Sequence, residues 1–530
     1  MGGDGRYELI VIGAGPAGLS AAINAANFGV RVVIFDENPT LGGQLFKQTH
    51  KFFGSKEHFA KKRGFSIARI LLEQTKNPNI TLCLNTSVIG IYPNKEILAV
   101  VSGKLKRFRA DAIIAATGAT SNAVPFEGWN LPNVIDAGAA QTMVNIHGVR
   151  PGNDIFVLGS GNVGLVVSYQ LIQAGCRVAA VADASETIGG YGVHAAKLAR
   201  LGVPFYTKHT IVKANGGDRV SSVTIARLEN GGFVAGTEKT FDVDCICAAV
   251  GLSPQYELLD MAGAMMTFNK ERGGRAPVVN ERGATTVDGI FAAGDISGVE
   301  EATSAMIEGR IAGASAAYFL GYADESAFAA ETSKGRDALD KLRHGMFTPQ
   351  NKTRKLSVTD EGCPLSVSLR ERGFLEDFEV ANFPGVNLDF INKEPVVPVI
   401  ECTQNIPCNP CQDACPRGCI KVGRNITDLP AVEDTSICVG CGLCVAACPG
   451  QAIFLIHKTF SDDFGLITMP YEFLPLPRRG DVGAGLSRDG GEICAAEVIE
   501  VRTAEIYDKT ALLTIKVPTD MLMRVRFYKR

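Results

Sequence analysis

Two stretches of the chain carry the same local design, and they restrict the fold more tightly than any other feature. Residues 7–37, "YELIVIGAGPAGLSAAINAANFGVRVVIFDE", read as an apolar strand, a glycine turn, a helix and a second strand. Residues 153–183, "NDIFVLGSGNVGLVVSYQLIQAGCRVAAVAD", repeat that order. A strand that is one continuous apolar run is buried on both faces, as in a parallel sheet. Alternating strands and helices of this kind predict doubly wound α/β architecture.

Each turn has the spacing Gly-x-Gly-x-x-Gly: Gly13, Gly15 and Gly18 in the first, Gly159, Gly161 and Gly164 in the second. The first glycine permits the tight turn, the second lets the backbone approach a pyrophosphate, and the third lets helix and strand pack closely. The helix N-terminus behind the turn offers free N–H groups to the anion. Asp36 ends the second strand of the first unit, where an acid binds an adenosine ribose hydroxyl. Asp183 ends the corresponding strand of the second. No Arg or Lys follows it nearby to hold a 2′-phosphate, which favours NAD over NADP. Asp183 sits one residue further from its first glycine than Asp36 does, so another adenine nucleotide, or none, stays open for the second loop.

Three further stretches sharpen the reading: "LGGQ" (41–44), "IIAATGAT" (113–120) and "TTVDGIFAAGDISG" (285–298). Together with both glycine loops they resemble the two-dinucleotide-domain flavoproteins of the thioredoxin-reductase and pyridine nucleotide-disulfide oxidoreductase group. The resemblance implies two Rossmann-like dinucleotide-binding domains, the second inserted in the first. It implies FAD on the first loop, held by Gly13, Gly15, Pro16, Ala17 and Gly18, with Asp36 and Glu37 at the strand end. Gly43 and Gln44, then Ala116, Thr117 and Gly118, then Gly294 and Asp295 complete that set, Asp295 as a ribityl or pyrophosphate contact. For the second loop it implies Gly159, Gly161, Asn162, Val163, Gly164 and Asp183 as contacts to NAD(P) or another adenine nucleotide.

The stretches "GAAQTMVNIHGVRPGN" (138–153) and "IGGYGVHAAKLARLGVP" (188–204) narrow the resemblance. They look like the α subunits of heteromeric amine and imino-acid dehydrogenases, a group that includes sarcosine oxidase, dye-linked proline dehydrogenase, opine oxidase and hydrogen cyanide synthase. The resemblance covers most of residues 6–325 and implies a hetero-oligomer, with a substrate-oxidising flavoprotein subunit or another electron-transfer protein as partner. His194 falls in this stretch, but a lone histidine near a helix start reads as structural and is assigned no catalytic role.

A disulfide reductase needs a redox-active Cys-x-x-Cys beside its flavin. Residues 40–50 and 120–150 contain no cysteine. Cys245 and Cys247 point to one face of a strand and read as core, and Cys83 and Cys176 stand in apolar surroundings. Dithiol exchange is therefore not expected.

Nine of the fifteen cysteines lie between 402 and 448. A shift of 33 residues carries Cys408, Cys411, Cys415, Pro416 and Ile420 onto Cys441, Cys444, Cys448, Pro449 and Ile453. The second half reads Cys438-x2-Cys441-x2-Cys444-x3-Cys448-Pro449, the bacterial iron–sulfur run, in which three thiolates wrap one cluster and the fourth reaches its neighbour. That rule groups Cys415 with Cys438, Cys441 and Cys444, and Cys448 with Cys408 and Cys411. The module is expected to be ferredoxin-like with two [4Fe–4S] clusters. The group of Cys408 is one ligand short, because position 405 is Asn405. Cys402, three residues upstream of the gap, is the favoured fourth ligand, and Cys419, which maps onto Ala452, is the competitor. A [3Fe–4S] cluster or an unfilled site follows if neither serves.

These features divide the chain into an FAD-binding domain (1–122 and 284–325), an NAD(P)-like nucleotide-binding domain (123–283), a connector (326–400), the ferredoxin-like module (401–458) and a small β domain (459–530). A formal charge of −3 makes no electrostatic case for nucleic acid. The N-terminal stretch lacks the basic segment, apolar run and cleavage site of a signal peptide, and no apolar run is long enough for an integral membrane segment, so a cytoplasmic protein is expected. Three functions are consistent with the sequence: the electron-relaying α subunit of a multi-subunit amine, imino-acid or hydroxy-acid dehydrogenase; a stand-alone NAD(P)H:acceptor oxidoreductase; and a non-catalytic docking subunit with a regulatory nucleotide in the second loop.

Overall fold

A computed structural model describes residues 5–344 and 366–530. The segment 345–365, which holds Cys363 and part of the expected connector, lies outside the described residues.

The first sheet has Ile80–Cys83, Val32–Phe35, Gly5–Ile12, Lys104–Ala115, Glu96–Val101 and Thr86–Ile91 in that order, and Ile290–Ala292 also pairs with Lys104–Ala115. Its centre is parallel: Leu9–Ile12 runs beside Val32–Phe35 on one side and Ala112–Ala115 on the other. These strands are the apolar runs seen in the sequence, and Leu9, Ile10, Val11, Ile113 and Ile114 are fully buried. The helix Pro16–Asn27 starts at the first glycine turn and packs on Ala302–Phe319. Gly313 sits against this helix so closely that a Cβ would fall on the Ala21 backbone. Close approach of the two helix backbones is what selects glycine there.

The chain leaves this sheet through Ala119–Ser121 and returns through Leu252–Pro254, which pair antiparallel with each other. Between them a second sheet forms, all parallel, in the order Phe205–Thr207, Arg177–Asp183, Asp154–Leu158, Cys245–Ala248 and Val134–Asp136. An antiparallel meander over 209–242 covers one face of it. After that unit, Ile290–Ala292 completes the first sheet beside Ile113–Ala115. The second unit is thus inserted in the chain between two strands of the first. Cys245 and Cys247 are fully buried in its core, and burial lifts the Cys245 thiol to about 12. Neither is poised for thiol exchange.

The C-terminal part differs from expectation. A single seven-stranded antiparallel sheet runs Val397–Ile400, Ile453–His457, Phe464–Tyr471, Ala511–Pro518, Glu492–Arg502, Val482–Leu486 and Phe527–Lys529. The boundaries expected at 400 and 458 therefore cut through one sheet. The cysteine segment is a loop-rich insertion between its first two strands. The described part of the connector is also structured, with helices Glu325–Leu342, Val367–Arg372 and Leu388–Lys393. Phe383, Val386 and Ile391 from this region are buried in the core of the seven-stranded sheet. Charged residues masked these elements in the sequence because only one face of each is apolar. No helix among the described residues is long and apolar enough to cross a membrane.

Candidate functional site

The first glycine loop has the geometry its sequence requires. Gly13 has φ +99°, and a Cβ there would press into the Ala116 carbonyl. A Cβ on Gly18 would collide with the Gly13 carbonyl oxygen, so the third glycine is a packing requirement. A Cβ on Gly15 would meet nothing within 4 Å, because it faces the cleft. Asp36 is buried at the strand end and accepts from the Ala14 N–H at 2.6 Å and the Asn38 N–H at 2.8 Å. Glu37 is exposed on the cleft edge. The segment after the strand folds back over the loop: the Gly42 N–H donates to the Ala14 carbonyl (2.8 Å), and a Cβ on Gly43 would lie 2.9 Å from Gly15 Cα.

The second loop repeats this arrangement. Gly159 has φ +107° and leaves no room before the Ala249 carbonyl, Gly164 packs on Gly159, and Gly161 faces open space. Asp183 accepts from the Ser160 N–H and hydroxyl, both at 2.7 Å, as Asp36 accepts from Ala14. The extra residue in its spacing is absorbed between Val178 and Ala180, where the pairing with Asp154–Leu158 shifts register. A bulge of this kind adds one residue without moving the strand end. Asp183 therefore holds its loop as Asp36 does, and the one-residue difference in spacing does not set the two loops apart. "IGGY" (188–191) covers this loop as "LGGQ" covers the first: the Gly190 N–H donates to the Ser160 carbonyl at 2.8 Å.

Both loops open on one cleft of about 1290 Å³. It is lined by Gly13, Gly15, Pro16, Ala17, Asp36, Glu37, Gly43, Gln44, Ala116, Thr117, Gly118 and Asp295 from the first unit, and by Gly161, Asn162 and Val163 from the second. Gly18, Gly294, Gly159, Gly164 and Asp183 lie behind this surface and shape it. Gly294 has φ +78° and donates its N–H to Glu308 at 3.0 Å. The cleft also reaches His50, Phe53 and Pro407, which lie outside the quoted motifs, and Tyr191 and His194 from the 188–204 stretch. Burial holds both imidazoles neutral, driving His50 down to about 3 and His194 well below its usual range.

At this inner end the cleft meets the cysteine segment. Phe53 lines the cleft and also a small cavity lined by Cys402, Cys408, Cys411 and Cys448. The Asn409 N–H donates to the Gly54 carbonyl (3.1 Å), tying the backbone beside Cys408 to the loop that carries Phe53. A second cavity is lined by Cys415, Cys419, Cys438, Cys441 and Cys444. Among the described residues no three Cys, His, Asp or Glu side chains converge on the spacing of a single metal ion. Two rings of thiols around two cavities suit clusters of iron and sulfide, which hold their thiolates further apart than one ion does.

The 33-residue repeat extends to the backbone. Helices Pro410–Ala414 and Leu443–Ala447 are its two copies. In each, the N–H four residues beyond a cysteine donates to that sulfur: Cys419 to Cys415 Sγ (3.3 Å) and Ala452 to Cys448 Sγ (3.5 Å). Gly418 has φ +72°, and its counterpart Gln451 is held at φ +52°. A non-glycine residue there costs roughly 1–2 kcal/mol. The Gln451 side chain accepts from Tyr169 Oη (3.1 Å) and its carbonyl from Arg200 (3.1 Å), bonds that fix this turn against the second unit.

Behind Cys448 the three parts of the chain meet in a buried ionic cluster with no sequence signature. Arg63 pairs with Glu472 at 2.9 Å, with side-chain exposures of 7% and 9%. Lys51 Nζ donates to the Ala446 and Tyr507 carbonyls (both 2.7 Å) and to Thr510 (2.8 Å). Burial draws Lys51 and Lys197 down to about 8, against the opposing pull of Glu472. Glu472→Gln should leave Arg63 buried without its carboxylate and cost about 3–5 kcal/mol of stability, the cost of breaking a buried pair, read as a lower denaturant midpoint.

Two sequence-family models match the chain: pyridine nucleotide-disulphide oxidoreductase over residues 7–309, and 4Fe-4S binding domain over residues 431–454. The chain is 28% identical over 376 residues to an opine oxidase subunit of Rhizobium meliloti, covering 65% of this chain and 70% of that protein. It is 28% identical over 280 residues to the alpha subunit of sarcosine oxidase from Rhizobium meliloti (strain 1021), covering 50% of this chain and 26% of that protein. It is 27% identical over 326 residues to the HcnB subunit of hydrogen cyanide synthase from Pseudomonas aeruginosa, covering 57% of this chain and 69% of that protein. L-proline dehydrogenase from P. horikoshii shares the fold at TM-score 0.50 and 22% identity, over 64% of this chain and 60% of that one. With the larger match spanning more than half its length, the chain belongs to the pyridine nucleotide-disulphide oxidoreductase family, as an FAD-dependent oxidoreductase that also carries a 4Fe-4S motif.

Proposed function

We propose that this chain relays electrons between FAD, seated in the cleft on the first glycine loop, and two [4Fe–4S] clusters. The first cluster is held by Cys402, Cys408, Cys411 and Cys448, and the second by Cys415, Cys438, Cys441 and Cys444. The observation that carries this reading is Phe53, whose ring forms the wall between the cleft and the first ring of thiols. When bound, FAD takes electrons in pairs and gives them up singly, which matches it to clusters that carry one at a time. The protein's part is placement. Gly15 leaves space for a pyrophosphate, Asp36 fixes the loop, and the Gly54–Asn409 bond holds the two sites together.

The second loop takes NAD(P) or another adenine nucleotide in this reading. Its support is the match between Asp183–Ser160 and Asp36–Ala14, together with the cleft shared by Gly161 and the first loop. The chain is then the α subunit of a multi-subunit amine, imino-acid or hydroxy-acid dehydrogenase, with a substrate-oxidising flavoprotein subunit or another electron-transfer protein as partner. The named relatives are themselves subunits, which supports a hetero-oligomer. A stand-alone NAD(P)H:acceptor oxidoreductase is the second reading, favoured by the shared cleft. For the stand-alone reading, anaerobic mixing with NADH should bleach the flavin, and Gly161→Ala should abolish bleaching while flavin content stays at the wild-type level; no bleaching with either nicotinamide rules that reading out. The purified chain alone should not oxidise amines, imino acids or hydroxy acids; turnover of such a substrate rules out its place as one part of a larger dehydrogenase.

A further inference from the structure

We propose that Lys197, with Arg200 and Lys51 around it, is the built-in counter-charge of the cluster ringed by Cys402, Cys408, Cys411 and Cys448, and raises that cluster's reduction potential. The inference rests on the two-cluster reading above.

The argument is one of charge balance. Lys51, Lys197 and Arg200 are all buried, at 5%, 3% and 5% exposure. Buried charges are ordinarily paired, because an uncompensated ion out of water is costly. The nearest buried carboxylate, Glu472, is already taken by Arg63 at 2.9 Å and by the Thr510 hydroxyl at 2.5 Å. Glu401, on the far side, is bound by Arg488 (2.5 Å) and Arg526 (2.7 Å). Lys51 spends its three donors on two carbonyls and a hydroxyl, and Arg200 is held by Gln451. Lys197 donates no hydrogen bond and forms no ion pair among the described residues; its ammonium stands 4.8 Å from the Tyr169 ring centroid. The small cavity it faces is lined by Cys448, Tyr169 and Glu472.

Three buried cations without an anionic partner therefore surround the back of Cys448. A four-thiolate cluster supplies the missing charge, since its thiolates outnumber the positive charge of its core and leave it anionic in either oxidation state. A fixed cation favours the more negative, reduced form, and nearby charge is one of the levers that set cluster potentials. The other ring has cations of its own, the exposed Arg417 in its lining and the part-buried Arg502, which donates to the Cys441 carbonyl at 3.2 Å, but Lys197 is not among them, so its potential is the internal reference for a change at Lys197.

The test uses the full-length, reconstituted chain with Lys197→Met and Lys197→Arg, compared with wild type by iron and sulfide analysis and by anaerobic redox titration followed by EPR. Lys197→Met, a near-isosteric apolar replacement, should keep its iron. It should lower one of the two cluster potentials by about 59 mV or more, a tenfold change in the reduced-to-oxidised ratio, and leave the other unmoved. Lys197→Arg should restore the wild-type value. Unchanged potentials in a fully loaded Lys197→Met protein overturn the proposal, as does loss of iron from both variants, which would make the residue a folding element. A wild-type chain with iron for a single cluster overturns the two-cluster reading beneath it, and the two failures are told apart by iron content before any potential is measured.

Discussion

Cys402→Ala should yield a protein with about half the iron and sulfide of the wild-type chain, and Cys419→Ala one with all of it. The repeat leaves one group of thiols a ligand short at Asn405, and both surplus cysteines are open to fill the gap on spacing alone. In the fold, Cys402 lines the cavity of Cys408, Cys411 and Cys448, the group that lacks a ligand. Cys419 is buried in the other ring, which already has Cys415, Cys438, Cys441 and Cys444. It is a fifth thiol there, in the place that its repeat copy gives to Ala452. Asn405 is turned away, donating through Nδ2 to the Thr427 carbonyl at 2.9 Å. Iron lost from Cys419→Ala instead would reverse the ligand assignment.

The second large effect separates binding from folding at two glycines three residues apart. Gly15→Ala places its methyl in the cleft, where it meets no protein atom within 4 Å. The apoprotein should keep its stability, while a pyrophosphate loses its close approach. Flavin affinity should fall at least about 100-fold, or roughly 2.7 kcal/mol. Gly18→Ala drives its methyl into the Gly13 carbonyl and should destabilise the fold by about 1–3 kcal/mol or more. Thermal melts of the two apoproteins, paired with flavin titrations, check both. Equal destabilisation by the two substitutions would mean that Gly15 is a packing glycine and not a ligand-facing one.

What can be read from the sequence is what short-range spacing encodes. The glycine loops with their strand-end acids, and the cysteine repeat, each lie within about 50 residues of chain, so a motif can express them. The bulge at Val178–Ala180 is legible only as an unexplained extra residue, because a register shift shows itself in the partner strand. The seven-stranded sheet escapes notice because Val397–Ile400 and Ile453–His457 are separated by the whole cysteine segment. Its strands read as a connector's end and a module's end. Lys51, Arg63, Lys197, Arg200 and Glu472 are invisible for the same reason. They come from three parts of the chain, and each alone is an ordinary charged residue. The nearest thing to a signal is Lys197 inside the small-apolar helix "GVHAAKLA", a place where a surface lysine has little reason to be.

The most direct test of the relay is anaerobic quantitation of FAD, iron and sulfide in the purified chain, followed by stepwise reduction monitored by absorbance and EPR. The account predicts one FAD and about eight irons per chain, with electrons delivered to the flavin appearing in both clusters. About four irons per chain, or a reduced flavin that leaves both clusters oxidised, would contradict it.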